Sequence, residues 1–200
     1  LNNAIWEPVA DWRRAYAYPK GNEDLKETLS REVLSVRKNV GLLDSSTLGK
    51  ILVKGPDAGR FLDLIYTNMM STLKAGKCRY GLMCNEAGFV FDDGVVARLN
   101  NQSFLCHTTS GGADRVYAWL EEWLQTEWHH LKVFIVNLTE QYSQIAVAGP
   151  KARELLHTFK SIDLSTEKLP FMNFIETNID DIWVRIYRIS FSGELSYELA

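Results

Sequence analysis

Residues 50–62 read "KILVKGPDAGRFL": a short strand with Ile51 and Val53 on one side, a glycine turn, then a helix opened by Pro56. Proline suits a first helical position because its missing N–H would have no partner there. The pattern returns without gaps as "QIAVAGPKARELL", residues 144–156, at an offset of 94. Ile51, Val53, Gly55, Pro56, Ala58 and Leu62 recur as Ile145, Val147, Gly149, Pro150, Ala152 and Leu156. Two copies of one strand–turn–helix unit predict two similar lobes.

After the first copy, "CRYGLMCNEAGFVFDDGVVARLNNQSFLCHTT" reads as strands joined by turns at residues 85–88 and at Asn100-Asn101. Ser110-Gly111-Gly112 then opens a helix with the stripe Ala113, Val116, Leu120 and Leu124, and the strand "VFIVNL" follows. The first lobe is therefore expected to be β-α-β-β-α-β, a ferredoxin-like arrangement. The second starts alike, with a helix over residues 150–159 and strands near "FIETNI" and "IWVRIYRIS", and stops before a second helix. Ahead of both, residues 23–38 predict a helix with Leu25, Leu29, Val33 and Val36 on one face and Gly41 as its stop. The expected fold class is α+β. Residues 1–48 form an N-terminal segment and helix packed with the second lobe, 49–139 the first lobe, and 140–200 the start of the second, truncated. Without a linker between them, the lobes are expected to share an interface.

Composition narrows the function without naming it. The 200 residues are 46% hydrophobic and 24% charged, with a net charge of −3. No basic stripe is available to neutralise phosphates, which argues against nucleic acid. No apolar run reaches the roughly 18 residues of a membrane span, and no signal peptide is evident, so the expected location is the cytoplasm. Cys78, Cys84 and Cys106 lack paired spacing and read as free thiols. The chain opens without Met and stops inside the strand-like "GELSYELA", as a piece of a longer polypeptide would.

The chemistry points to acids. Cys106 and His107 are neighbours on a strand and face opposite sides, so no metal is expected. No nucleophile elbow and no nucleotide-binding loop is present. "TTSGGAD" could bind an anion, although such a stretch more often caps its own helix. Trp119, Trp123 and Trp128 at helical spacing read as core or interface. Asp92 and Asp93, by contrast, interrupt a valine- and phenylalanine-rich strand. If Phe89, Phe91, Val95 and Ala97 line the buried face, Asp93 points inward with them and Asp92 outward with Arg98. A buried aspartate either caps backbone N–H groups or does chemistry. Near the other end, Glu194 reads as a turn acid and Glu198 as a strand carboxylate.

Taken together, "GLLDSSTLGKILVKGPDA", "CRYGLMCNEAGFVFDDGVV", "IAVAGPKARELL" and "RISFSGELSYEL" resemble the glycine-cleavage T-protein (aminomethyltransferase) family. The opening "WEPVADWRRAYAYPKGNEDLKETLSREVLSVRKNVGLLDSSTLGKI" is similar to the T-protein-like region of heterotetrameric sarcosine oxidase alpha subunits. The resemblance implies a cloverleaf of lobes around a channel that holds tetrahydrofolate, with the family's third lobe beyond this chain. It implies that Asp93 is the catalytic carboxylate, facing an inter-lobe cavity and bonding the folate's reacting amine. It implies that Glu198 grips the pterin N–H groups, and that Leu48, Tyr80, Val95 and Ala97 line the folate. Phe191 stands where relatives carry Tyr, so an apolar wall remains and a hydroxyl contact is lost.

The implied partners are folate and the other sarcosine oxidase subunits, with FAD, FMN and NAD expected only in the rest of the parent enzyme. The implied reaction traps the imine or formaldehyde from sarcosine oxidation as methylenetetrahydrofolate. Two alternatives stay open: a stand-alone folate-dependent aminomethyltransferase or demethylase, and a structural module that kept the fold and lost turnover.

Overall fold

The computed structural model describes residues 3–159 and 162–200. In chain order the elements are β1 (Ile5–Val9), β2 (Trp12–Ala17), α1 (Leu25–Lys38), β3 (Gly41–Asp44), β4 (Gly49–Lys54), α2 (Ala58–Ile65), β5 (Cys78–Cys84), β6 (Val90–Asn100), β7 (Ser103–Thr108), α3 (Ala113–Gln125), β8 (Phe134–Asn137), β9 (Ile145–Ala148), α4 (Ala152–Leu156), β10 (Phe174–Ile179), β11 (Ile182–Tyr187) and β12 (Ser196–Leu199). They sort into two units. One is Leu48–Tyr142, the middle unit; the other joins Leu1–Thr47 to Ser143–Ala200, the composite unit.

The middle unit is built on a five-stranded sheet in the order β5-β6-β7-β4-β8, and each neighbouring pair is antiparallel. Strands β6, β7, β4 and β8 with α2 and α3 follow the expected ferredoxin-like path. Strand β5 is an addition, paired along β6 at the sheet edge. Ile51 on β4 pairs with Cys106, and Cys106 with Val96, so these side chains share one face. That face meets Phe61, Leu62 and Ile65 of α2 and Val116 and Leu120 of α3 in one buried cluster. Burying each such side chain contributes about 1.5–3 kcal/mol. Trp123 stacks on Trp128 at 5.0 Å between centroids, at the rim of the same cluster.

The composite unit has the sheet order β10-β11-β12-β9-β3, with a separate β1–β2 hairpin. Strand β9 occupies the place of β4, as the repeat requires. Gly55 and Gly149 both have positive φ, +143° and +130°, and a Cβ on either would lie 2.1 and 2.4 Å from a backbone oxygen. The approaching carbonyls are Lys132 O, two residues before β8, and Asn39 O, two residues before β3. Matching N–H groups reach them: Asp57 N to Lys132 O at 3.5 Å, and Lys151 N to Asn39 O at 2.9 Å. Helix α1 and strand β3 therefore play in this unit the part that α3 and β8 play in the other. The carbonyl that closes on the Gly149 turn thus comes from earlier in the chain, between α1 and β3.

Helix α1 differs from its expected burial. Its capping box is formed by Asp24 and Glu27, but Leu25 and Val33 are 44% and 57% exposed, and the buried residue is Thr28. The flank that is held bears Arg31 and Glu32, which bond the Tyr18 carbonyl and the Tyr18 N–H just after β2. Among the described residues no helix is long and apolar enough to cross a membrane.

Candidate functional site

Strand β6 carries a defect immediately before the double aspartate. Across β5, Met83 pairs with Asp92 but Cys84 pairs with Val90, leaving Phe91 as an extra residue. Such a bulge puts two consecutive side chains on the same side and resets the alternation beyond it. Phe91 accordingly packs on Trp119 of α3, 4.7 Å between centroids, and Asp92 is buried at 4% exposure on the same side. This corrects the sequence expectation: Asp92, not Asp93, is the buried member, and Phe91 does not share a face with Val95. Phe89 is 73% exposed and lies outside the strand. The grouping of Asp93 with Val95 and Ala97 stands, as does that of Asp92 with Arg98; the Asp92 side meets the helices, and Ala97 on the Asp93 side is buried as well.

Asp92 answers the cost of its burial with backbone partners. Its Oδ1 accepts from Asp93 N at 2.8 Å and Thr109 N at 3.0 Å, and its Oδ2 from Thr109 Oγ1 at 2.8 Å. The loop ahead of α3 is thus tied at Thr109 by a carboxylate already in place. A Cβ on Gly112 would fall 1.7 Å from Asp92 Oδ2, so only glycine fits there. A free anion in "TTSGGAD" would meet that negative charge; the stretch does not cap its own helix through a side chain, since Gly112 stands at the N-cap without a side-chain hydrogen bond.

Asp93 lies on the face away from α2 and α3, half-buried. Tyr80, on β5 opposite Val95, donates its phenol to Asp93 Oδ2 at 2.7 Å. That bond, with lesser contributions from burial and the aspartate charge, holds the Tyr80 phenol above its ordinary value. Among the described residues nothing donates to Asp93 Oδ1. Val95 and Ala97 follow along the same face, the first half-buried and the second buried. Leu48 precedes β4, and its carbonyl accepts from Lys50 Nζ at 2.7 Å.

Two further residues share this face: Lys50, which has no expected role from the sequence, and His107, weighed there only as a metal ligand. Lys50 is fully buried and pairs across β4–β7 with His107, which is 5% exposed. His107 donates from Nδ1 to the Val95 carbonyl at 3.0 Å. Strand parity was the available signal: Lys50 alternates with Ile51, and His107 with Cys106. Cys106 points instead to the helix side, where burial pushes its thiol up to about 12. No group of three or more His, Cys, Asp or Glu among the described residues is placed to hold a metal.

Glu198 sits on β12 in the composite unit, paired with Ala146 on β9 and Tyr187 on β11. It is half-buried, and its Oε2 accepts from Gln144 Nε2 at 2.5 Å. Gln144 is the repeat counterpart of Lys50, so Glu198 lies on the sheet face that corresponds to the one bearing Asp93. Glu194 is engaged as a turn acid, ion-paired with Arg37 at 2.6 Å. Phe191 lies in the preceding loop and is fully exposed, so its ring forms no wall against described residues.

The sequence matches the GCVT N-terminal domain over residues 1–200. The chain belongs to the GCVT N-terminal domain family. Among its relatives, the sarcosine oxidase alpha subunits of Corynebacterium sp. strain P-1 and of Rhizobium meliloti are 49% and 42% identical over 98% and 100% of this chain. The aminomethyltransferase of Natranaerobius thermophilus is 35% identical over 84% of it. The chain spans 21% and 20% of those alpha subunits and 44% of that aminomethyltransferase. In structure, the glycine cleavage system aminomethyltransferase T from Bartonella henselae matches 99% of this chain and 50% of its own with a TM-score of 0.82 at 27% identity. A chain of the heterotetrameric sarcosine oxidase from Corynebacterium sp. U-96 matches 85% of this chain and 80% of its own, with a TM-score of 0.55 at 17% identity, a likeness of fold alone. The GCVT membership and the α+β architecture thus agree with the resemblance read from the motifs.

Proposed function

We propose that the chain is the tetrahydrofolate-binding, one-carbon-transfer region of a sarcosine oxidase alpha subunit. The observation that carries this is the Asp93 carboxylate: one oxygen is held by the Tyr80 phenol, the other accepts from none of the described residues, and Val95 and Ala97 continue the face beside it. A carboxylate fixed at one oxygen beside apolar side chains suits a flat heteroaromatic ligand bearing an amine. Higher identity to the alpha subunits, 42–49% against 35% for the aminomethyltransferase above, supports the oxidase reading over a stand-alone transferase.

When bound, tetrahydrofolate supplies a nucleophilic amine that takes up the carbon left by sarcosine oxidation, and glycine is released. Asp93 orients that amine by accepting its N–H, stabilises positive charge as it develops, and takes the proton that is lost. Tyr80 keeps the carboxylate from rotating by occupying Oδ2. Glu198 is suited to the pterin edge because a carboxylate accepts two parallel N–H bonds. FAD, FMN and NAD belong, on this reading, to the rest of the parent enzyme, and its other subunits are the partners.

The test is the product of sarcosine oxidation by the complete enzyme, measured with and without tetrahydrofolate. The expected outcome is methylenetetrahydrofolate in its presence and formaldehyde in its absence. Formaldehyde as the product in both conditions contradicts the proposal and favours a structural module.

A further inference from the structure

We propose that Arg115 and Asp92 form a clamp on the β6 bulge that aims Asp93, making both positioning residues for the transfer. The inference rests on the reading of Asp93 given above. Bulges beside active sites commonly re-aim a side chain, and here the bulged residue is the second one before Asp93. The extra residue brings Phe91 to the side of Asp92, while Asp93 keeps its regular pairing with Leu82 on the opposite face.

Three contacts from α3 hold the bulge in place. Arg115 Nη2 donates to the Phe91 carbonyl at 2.6 Å, the guanidinium lies 4.5 Å from the Phe91 ring centroid, and the same Nη2 is 3.9 Å from Asp92 Oδ2. Asp92 extends the hold to Asp93 itself, since its Oδ1 accepts the Asp93 N–H. Its other bonds tie that point to Thr109, ahead of α3. The backbone on the N-terminal side of Asp93 is therefore fastened to α3 and its leading loop, while Tyr80 fastens the carboxylate. Neither Arg115 nor Asp92 lies on the Asp93 face, so neither is a catalytic residue.

Arg115 carries the test because its side chain is 60% exposed and its removal leaves the core filled. In the complete oxidase, Arg115→Ala is expected to slow methylenetetrahydrofolate formation about tenfold, because a small misplacement of a catalytic group is costly. The Kd for tetrahydrofolate should move by less than about twofold, and Arg115→Lys, which still donates to the Phe91 carbonyl, should recover most of the rate. In an Asp93→Asn background, Arg115→Ala should cost nothing more, since there is no longer a charge to aim. Asp92→Asn should behave like Arg115→Ala. Transfer that falls in Asp93→Asn but not in Arg115→Ala, or losses that multiply in the double variant, overturn the clamp alone. Transfer unchanged in Asp93→Asn overturns the reading of the site beneath it.

Discussion

The phenol of Tyr80 and the carboxylate of Asp93 meet at 2.7 Å as diagonal neighbours on adjacent strands, Tyr80 opposite Val95 and Asp93 opposite Leu82. The bond favours the neutral phenol, because ionised Tyr80 would face a second negative charge. Removing the charge should let the phenol go: in Asp93→Asn the Tyr80 titration is expected to move down toward the ordinary tyrosine range. The difference in tyrosinate absorbance between Asp93→Asn and Asp93→Asn/Tyr80→Phe, against the same difference in the unaltered protein, reads that shift. An unmoved titration would mean the bond is absent in solution.

Glu198→Gln should weaken folate binding in the complete enzyme with little effect on the transfer step. An amide offers one acceptor where the pterin edge offers two donors, and the unmet donor faces an NH₂. The loss is about 1.5–3 kcal/mol, or roughly one to two decades in Kd. Calorimetric titration with tetrahydrofolate checks it, and an unchanged Kd would remove Glu198 from the proposed contact set.

The paired turns test the internal repeat. Gly55 and Gly149 have positive φ and a backbone oxygen where a Cβ would go. Gly55→Ala and Gly149→Ala are each expected to destabilise the fold by at least about 1–3 kcal/mol, the cost of a strained backbone before the clash is counted. Urea unfolding measures this. A neutral substitution at either position would show that the two turns are not equivalent.

Much of this architecture is legible in the residues, for reasons that differ by element. Residues 50–62 and 144–156 declare their strand–turn–helix units because the glycine and proline have local conformational causes. Strands β5 to β8 show through their turns and alternation. The face of Asp93 could not be read, because alternation assumes an unbroken strand and the Phe91 bulge depends on partners far along the chain. Arg115, more than twenty residues away, is one of them. Nor could residues 23–44 be seen to finish the second sheet, since that role rests on pairing β3 with β9, about a hundred residues later. Of the proposed site, Asp93, Tyr80, Val95 and Ala97 are together on one face. Phe191 stands apart in an exposed loop.

Alkaline stability follows from the buried Cys106–Tyr66 pair. Burial raises the Cys106 thiol from 9.0 to about 12, a rise the Tyr66 hydrogen bond only partly offsets, and burial raises Tyr66 as well. A group raised in the folded state gives stability that is fully present below its unfolded value and lost as pH climbs through the folded one. Unfolding midpoints in urea should therefore fall between about pH 9 and 12, and fall less steeply in Cys106→Ala. Equal slopes would contradict the assignment.

The central claim is that the Asp93 charge drives one-carbon transfer to folate. Its most direct test is Asp93→Asn in the complete enzyme, with methylenetetrahydrofolate and free formaldehyde both quantified during sarcosine turnover. The expected result is tetrahydrofolate binding close to that of the unaltered enzyme, with slower transfer and product shifted towards formaldehyde. If Asp93→Asn gives methylenetetrahydrofolate at an unchanged rate and yield, Asp93 is a structural carboxylate and the claim fails.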